Sequence, residues 1–204
     1  MATLPADVAA PRHRLTVADF HRMGEAGILR PDDRVELIAG EIIDMSPIGS
    51  LHAALVAKMS MLFSRHVGDR AIVWTQNPVA LDDVSQPQPD VAILRPRPDC
   101  YAAAHPGPAD VLLVVEVADT TLPFDLAVKV PLYAAAGIPE TWVIDAVTLR
   151  THRFRRPAGA RFTAEEIIAP DVPLVCGGET AAGEALAGLS FTMSSLLPAP
   201  RPAG

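Results

Sequence analysis

Residues 111–145 read VLLVVEVADTTLPFDLAVKVPLYAAAGIPETWVID, and this stretch decides the fold. VLLVVEV (111–117) is a short apolar run of the kind that forms a buried strand. FDLAVKVPLYAAAG (124–137) then reads as a helix that ends on Gly137, with Pro139 just beyond as a stop. TWVIDAV (141–147) returns to a strand pattern. A strand, a helix and a strand in succession belong in a sheet covered by helices, and the flanking segments extend that sheet on both sides.

Upstream, AIVWTQNPVAL (71–81) and PDVAIL (89–94) read as strands, followed by the proline-rich loop RPRPDCYAAAHPGPAD (95–110). LHAALVAKMSMLFSRHV (51–67) is the best helix in the chain: Leu51, Leu55, Met59, Leu62, Phe63 and His66 fall at helical spacing. RVELIAGEIIDM (34–45) reads as a hairpin about a two-residue Ala39-Gly40 turn. Thr16 is the expected N-cap of a first helix, VADFHRMGEAG, which ends on Gly24 or Gly27. Downstream, LRTHRFRR and RFTAEEIIAP read as strands, and LSFTMSSLL (189–197) as a short terminal element. The expected organisation is a flexible arm over 1–14, one domain over 15–170, and an Ala-, Gly- and Pro-rich extension over 171–204 that is partly docked. The fold class is α+β (mixed α/β), a central mixed sheet flanked by helices in a single domain.

The chain has 204 residues, half of them hydrophobic, which suffices for one buried core. A net charge of −7 argues against a protein that coats nucleic acid without regard to sequence, because such binding rests on many Lys and Arg. It leaves room for a local basic groove. Cys100 and Cys176 form no Cys-x-x-Cys pair, and reduced thiols in a cytoplasmic protein are the default. The N-terminal residues lack the apolar core of a secretory signal. The longest apolar run, VLLVV, is far short of the roughly 20 residues a membrane span needs. Lys58 and Lys129 are the only lysines beside 15 arginines. Where Arg is so favoured, a retained Lys is a candidate for work that a planar, permanently charged fork cannot do.

No phosphate loop, dinucleotide fingerprint, nucleophile elbow or zinc motif is present. What stands out is a set of carboxylates in costly places. Glu116 interrupts the most apolar strand, where a charge costs several kcal/mol unless paired or bound to metal. Taken alone, it could equally be a strand-end Glu that has reached solvent. Asp90 follows Pro89 at the mouth of PDVAIL, an unremarkable place for a proline. In the hairpin, Glu36 and Glu41 share one face while Val35, Leu37 and Ile42 take the other. That face is either solvated or bridged by a cation. Lys129 lies four residues after Asp125 and four before Tyr133, so a simple Asp125 pair or a snorkelling Lys would also account for it.

Together, VELIAGEIIDMSPIGSLHA, QPQPDVAIL, VLLVVEVADTT and FDLAVKVPLYAAAGIPETWVID occur in an order that resembles the bacterial Uma-two family of restriction-endonuclease-type proteins, a branch of the PD-(D/E)XK nuclease superfamily. The resemblance runs from about Leu15 to Phe162. It implies a restriction-endonuclease-like sheet and Mg²⁺-dependent cleavage of DNA phosphodiesters, with Mn²⁺ able to substitute. It makes Asp90, Glu116 and Lys129 the catalytic residues, with Asp90 and Glu116 the metal ligands. Glu36, Glu41 and His52 match supporting positions. The superfamily's usual Lys position, two residues after the Glu, holds Ala118, and the resemblance moves that Lys to Lys129, where it would orient the water or neutralise the phosphate.

Two departures matter. ADTTLPFD follows Glu116 where the family more often reads like LSPST, and Pro131 interrupts the helix just after Lys129. If the helix begins at Pro131, Lys129 lies in the turn before it.

The densest basic run is LRTHRFRRPAGAR. Arg153, Arg155 and Arg156 are either DNA phosphate contacts or charges guarding an exposed edge strand. DNA is the expected substrate, and a homodimer would suit cutting of both strands. The alternatives are a catalytically silent nuclease fold that binds DNA or protein, and a metal-dependent hydrolase of another phosphoester.

Overall fold

The computed structural model describes residues 12–176 and 184–197. The arm expected over 1–14 therefore lies mostly outside the described residues. Its last part does not stand free, because Arg12 pairs with Glu41 at 3.0 Å.

The first helix, α1 (Val17–Glu25), is capped by Thr16, whose hydroxyl accepts from the Asp19 amide while the Asp19 carboxylate accepts from the Thr16 amide. Next comes the hairpin of β1 (Val35–Ile38) and β2 (Glu41–Asp44), paired Glu36 with Ile43 and Ile38 with Glu41. Its turn residues Ala39 and Gly40 both have positive φ, +50° and +79°, which gives the backbone twist of a two-residue hairpin. Gly40 is required twice over, since a Cβ there would meet Arg14 Cβ at 2.6 Å.

Helix α2 (Ser50–Val67) leads to a six-stranded sheet made of β3 (Ile72–Thr75), β4 (Val91–Leu94), β5 (Val111–Ala118), β6 (Glu140–Asp145), β7 (Thr151–Pro157) and β8 (Phe162–Ile168). The strands lie in chain order, and every neighbouring pair is antiparallel except β5 with β6, which is parallel. The sheet is therefore mixed. A parallel pair requires a crossover, and the helical segment from Leu122 to Ala135 supplies it. The expected strand 71–81 stops at Thr75, because Gln76 turns to φ +49° and Pro78 follows.

Alternation along the strands splits the core between two faces. Val91, Ile93, Leu113, Val115, Val117, Trp142 and Ile144 pack with Leu55, Val56, Met59 and Phe63 of α2. Phe63 is fully buried between Trp142 and Phe191; burying such a ring stabilises by roughly 1.5–3 kcal/mol. The described end of the chain joins this face through β9 (Leu174–Val175), β10 (Ser190–Phe191) and α5 (Met193–Leu196). On the other face Ala92, Leu94 and Val114 meet Tyr133 and Ile138. Glu116 and Ala118 alternate onto this second face, so the Glu of the apolar strand points at the crossover helix rather than at α2.

That crossover is not one regular helix. It comprises α3 (Leu122–Phe124), a π-helical turn (Asp125–Lys129) and α4 (Val130–Ala135). The Val130 amide donates to the Asp125 carbonyl, five residues back. Pro131 explains the widening: it has no N–H to donate, and its ring would clash with the carbonyl of Ala127 in a regular α turn. Lys129 is thus within the helical segment, not in a turn before Pro131.

Candidate active site

The antiparallel register of β4 and β5 pairs Val91 with Val115 and Ala92 with Val114. Asp90 immediately precedes β4, and its side chain reaches the Val117 amide of β5, next in the chain to Glu116. The two carboxylates are thus brought near one another at the end of the β4–β5 pairing, where Asp90 acts electrostatically on Glu116. Each is then fixed by a different set of neighbours.

Asp90 is held at both oxygens. Oδ1 accepts from Gln76 Nε2 at 3.2 Å and lies 2.8 Å from His52 Nε2, while Oδ2 accepts from the Val117 amide at 2.9 Å. The Gln76 amide also donates to the Asp90 carbonyl, which anchors Gln76 in its left-handed conformation. The hydrogen bond to Asp90 raises the His52 pKa against the opposing effect of burial. A carboxylate has about four acceptor sites, so Asp90 keeps one on Oδ2.

Glu116 is buried, and its Oε1 accepts from the Tyr133 hydroxyl at 2.5 Å and lies 3.3 Å from Lys129 Nζ. Lys129 Nζ also meets Glu36 Oε1 at 3.1 Å, and Glu36 Oε2 accepts from the Gln88 amide at 3.0 Å. Asp125 completes the group, buried one helical turn from Lys129 and accepting from the Thr121 hydroxyl at 2.7 Å. Asp125, Lys129 and Tyr133 are all buried.

Three buried carboxylates, Glu36, Glu116 and Asp125, therefore surround one ammonium, with Asp90 near Glu116. Desolvation pushes Glu116 up to about 8; Lys129 opposes that rise, while Asp125, Asp90 and Glu36 add to it. Burial alone would lower Lys129, but Glu116, Glu36 and Asp125 outweigh it and hold the ammonium above its usual value. Desolvation likewise raises Asp125, and it raises Tyr133 well above the ordinary phenol value. The three carboxylates thus favour the charged form of Lys129. The group opens onto a cavity of about 570 Å³ lined by Glu36, His52, Glu116, Asp125 and Lys129, with the 45–49 loop and Phe124 as walls.

Burial and mutual crowding push Glu116 and Asp125 toward their neutral forms, and a divalent cation would relieve that push by favouring the charged carboxylates. Among the described residues no group of three or more His, Cys, Asp or Glu side chains is arranged to hold a metal. Mg²⁺ usually takes one or two carboxylates and keeps several waters, and Asp90 and Glu116 are the two that would hold it.

Several expectations need correction. Glu41 shares the hairpin face of Glu36 but sits two residues further along, about 7 Å. There it is exposed at the turn and paired with Arg12, outside the cavity. Arg153 is buried: its Nε donates to Glu140 Oε1 at 2.7 Å and its Nη1 to the Val175 carbonyl at 3.2 Å. Committed to Glu140 and covered by β9, its guanidinium cannot meet a phosphate. Arg155 reaches Glu166 at 3.6 Å across the β7–β8 hairpin, and Arg156 is exposed beside it. Both lie on β7, two strands from Glu116, and Arg155 pairs with Glu140 whereas Glu116 aligns with Val143. They are remote from the carboxylates. Asp125, Tyr133, Gln76 and Gln88 were not anticipated. The four-residue spacing of Asp125, Lys129 and Tyr133 was the one available signal, and it reads equally as a local ion pair.

The architecture is an α+β domain on a mixed sheet, with Asp90 and Glu116 clustered near a buried Lys129. A family model described as "Putative restriction endonuclease" (Uma2) matches residues 17–194. The chain belongs to this family. It is also similar to a solved crystal structure described as a putative nuclease belonging to DUF820 from Anabaena variabilis, with 14% identity and a TM-score of 0.66. That likeness covers 89% of this chain and 97% of the other, and it shows the shared fold. No protein of curated function matches. Among the described residues, no helix is long and apolar enough to cross a membrane.

Proposed function

We propose that this protein is a cytoplasmic endonuclease of PD-(D/E)XK type that hydrolyses DNA phosphodiester bonds with Mg²⁺, or Mn²⁺ in its place. The observation that carries the reading is the clustering of Asp90 and Glu116 at the end of the β4–β5 pairing, with a buried Lys129 against Glu116 and an open cavity. Asp90 and Glu116 would hold the metal. When bound, Mg²⁺ supplies a Lewis acid that makes a water nucleophilic and stabilises the leaving oxygen.

The remaining roles belong to the chain's own side chains. His52, Gln76 and the Val117 amide fix the Asp90 carboxylate. Tyr133 orients Glu116 through Oε1, which leaves Oε2 to face a ligand. Glu36 and Asp125 keep Lys129 protonated, so the ammonium neutralises charge on the phosphate rather than moving a proton. Positioning and charge are thus its contribution.

The test is cleavage of plasmid and oligonucleotide DNA with Mg²⁺, Mn²⁺ or EDTA, by the native protein and by Glu116→Gln. Cleavage of at least one of these substrates is expected with either metal and should vanish with EDTA or the substitution. Cutting that persists under both would overturn the mechanism. A second reading, a nuclease fold that binds without cutting, is favoured by one observation: both ion pairs of Lys129 are with carboxylates of its own site. Absence of cleavage under every condition would select it.

A further inference from the structure

The shape and charge of the cavity bear on which form of DNA can reach the carboxylates. Glu116 and Lys129 are only 4% and 6% exposed, so the reacting phosphate must enter a recess. One wall is the 45–49 loop between β2 and α2, and the other is the start of the crossover at Phe124. The loop runs close to Asp119: a Cβ built on Gly49 would lie 3.4 Å from Asp119 Oδ2. Asp44 and Asp119 are exposed where they line the cavity, and the exposed cation among its lining residues is Arg34, which also donates to the Ser46 carbonyl. The walls themselves are apolar, built from Met45, Pro47, Ile48 and Phe124, with Ile48 41% exposed.

This combination suits one form of DNA poorly. A duplex is stiff over about 150 base pairs and carries a negative charge per roughly 1.7 Å of axis. Bringing a single phosphate of a duplex into the recess carries a deformation cost, and the exposed aspartates repel the phosphates that would remain outside. A single strand is flexible and less densely charged, and it exposes base faces that pack on aromatic and apolar side chains.

We infer that the site takes single-stranded DNA: a strand threads into the cavity, its phosphate meets Glu116 and Lys129, and the adjoining base packs on Ile48 and Phe124. The inference deepens the nuclease reading by naming its substrate form, and it rests on the same site. Ile48 and Phe124 are binding residues in this account and have no part in the chemistry.

The test measures binding apart from turnover. Glu116→Gln protein is titrated in Mg²⁺ against a fluorescent 20-nucleotide single strand and against the same sequence as a blunt duplex, by anisotropy. The single strand is expected to bind at least about tenfold more tightly, and Phe124→Ala or Ile48→Ser in that background should lower its affinity about five- to tenfold while leaving weak duplex binding unchanged. Ile48→Ser lies at an exposed position and keeps the test valid if Phe124→Ala does not fold. Equal or tighter duplex binding, or single-strand affinity indifferent to both changes, would overturn the inference. Duplex plasmid cut readily without a single-strand preference refutes this inference and spares the nuclease reading. A preference for single strands in a protein that cuts nothing does the reverse.

Discussion

Two long cationic side chains are buried among the described residues, and they sit in opposite electrostatic settings. Arg153, beneath β9, faces Glu140 at 2.7 Å, and the Trp142 indole N–H donates to the same carboxylate oxygen. The guanidinium also lies 5.9 Å from the Trp142 ring centroid and donates to a backbone carbonyl. One positive charge meets one negative charge in a packed, covered setting. Lys129 instead faces Glu36 and Glu116, with Asp125 and Asp90 close behind, and this group opens onto a cavity. A balanced pair is part of the architecture. An unbalanced one holds the fold at a cost and makes sense only if something cationic arrives, which is how functional sites depart from the stability optimum.

Breaking the balanced pair should produce the largest effect. Arg153→Met removes the guanidinium that faces the buried Glu140 and is expected to destabilise the protein by about 3–5 kcal/mol, read as a shift in the urea midpoint. A matched double change, Arg153→Met with Glu140→Leu, should recover most of that loss. If Arg153→Met were tolerated, the distinction between the two regions would collapse. The opposite pattern is expected at Glu116. Glu116→Gln removes one of the four crowded carboxylates while keeping an acceptor for Tyr133. Metal-free stability should therefore hold or rise, even as cleavage falls by about 10²–10³. A Glu116→Gln protein that loses stability as Arg153→Met does would mean that both carboxylates serve the architecture.

The two regions also differ in how far the sequence revealed them. VLLVVEV, the Ala39-Gly40 hairpin and the 51–67 helix declare themselves by local periodicity and turn chemistry, and each forms where expected, with α2 beginning one residue earlier. Glu116 was conspicuous because a charge inside an apolar run is a local anomaly. Its proximity to Asp90 was not legible, because strand register is set by contacts between segments 26 residues apart. Arg153 misled for the same reason. Within LRTHRFRR it looks like one of several surface charges, and nothing nearby says that Glu140, across the β6–β7 pairing, will bury it. The π turn was half visible: Pro131 announced a disturbance, but not that the helix would widen rather than start afresh.

A smaller effect tests whether Lys129 acts through charge alone. Glu36 and Glu116 meet the compact ammonium at 3.1 and 3.3 Å, contacts that a longer, planar guanidinium would not reproduce, and the surrounding carboxylates favour its charged form. Lys129→Arg keeps the charge and changes only shape, so cleavage is expected to fall by about tenfold. Lys58, exposed on α2, is the control: Lys58→Arg should leave cleavage and melting unaltered. An undiminished Lys129→Arg enzyme would show that a positive charge of any geometry suffices and would loosen the contrast with Arg153.

The smallest expected effect separates two glutamates that the hairpin places on one face. Glu36 is buried against Lys129, whereas Glu41 is half exposed and paired with an Arg12 that is itself 80% exposed. A pair so open to solvent contributes at most about 1 kcal/mol, and salt screens it further. Glu41→Gln should therefore leave cleavage unchanged and barely move the melting temperature. Glu36→Gln, in contrast, withdraws one of the two carboxylates that grip Lys129 and should lower cleavage. Measured side by side, the two changes ask whether membership of the site is set by the shared face or by the two-residue offset along it. Equal losses from both would restore Glu41 to the site and would require the Arg12 pair to open when DNA binds.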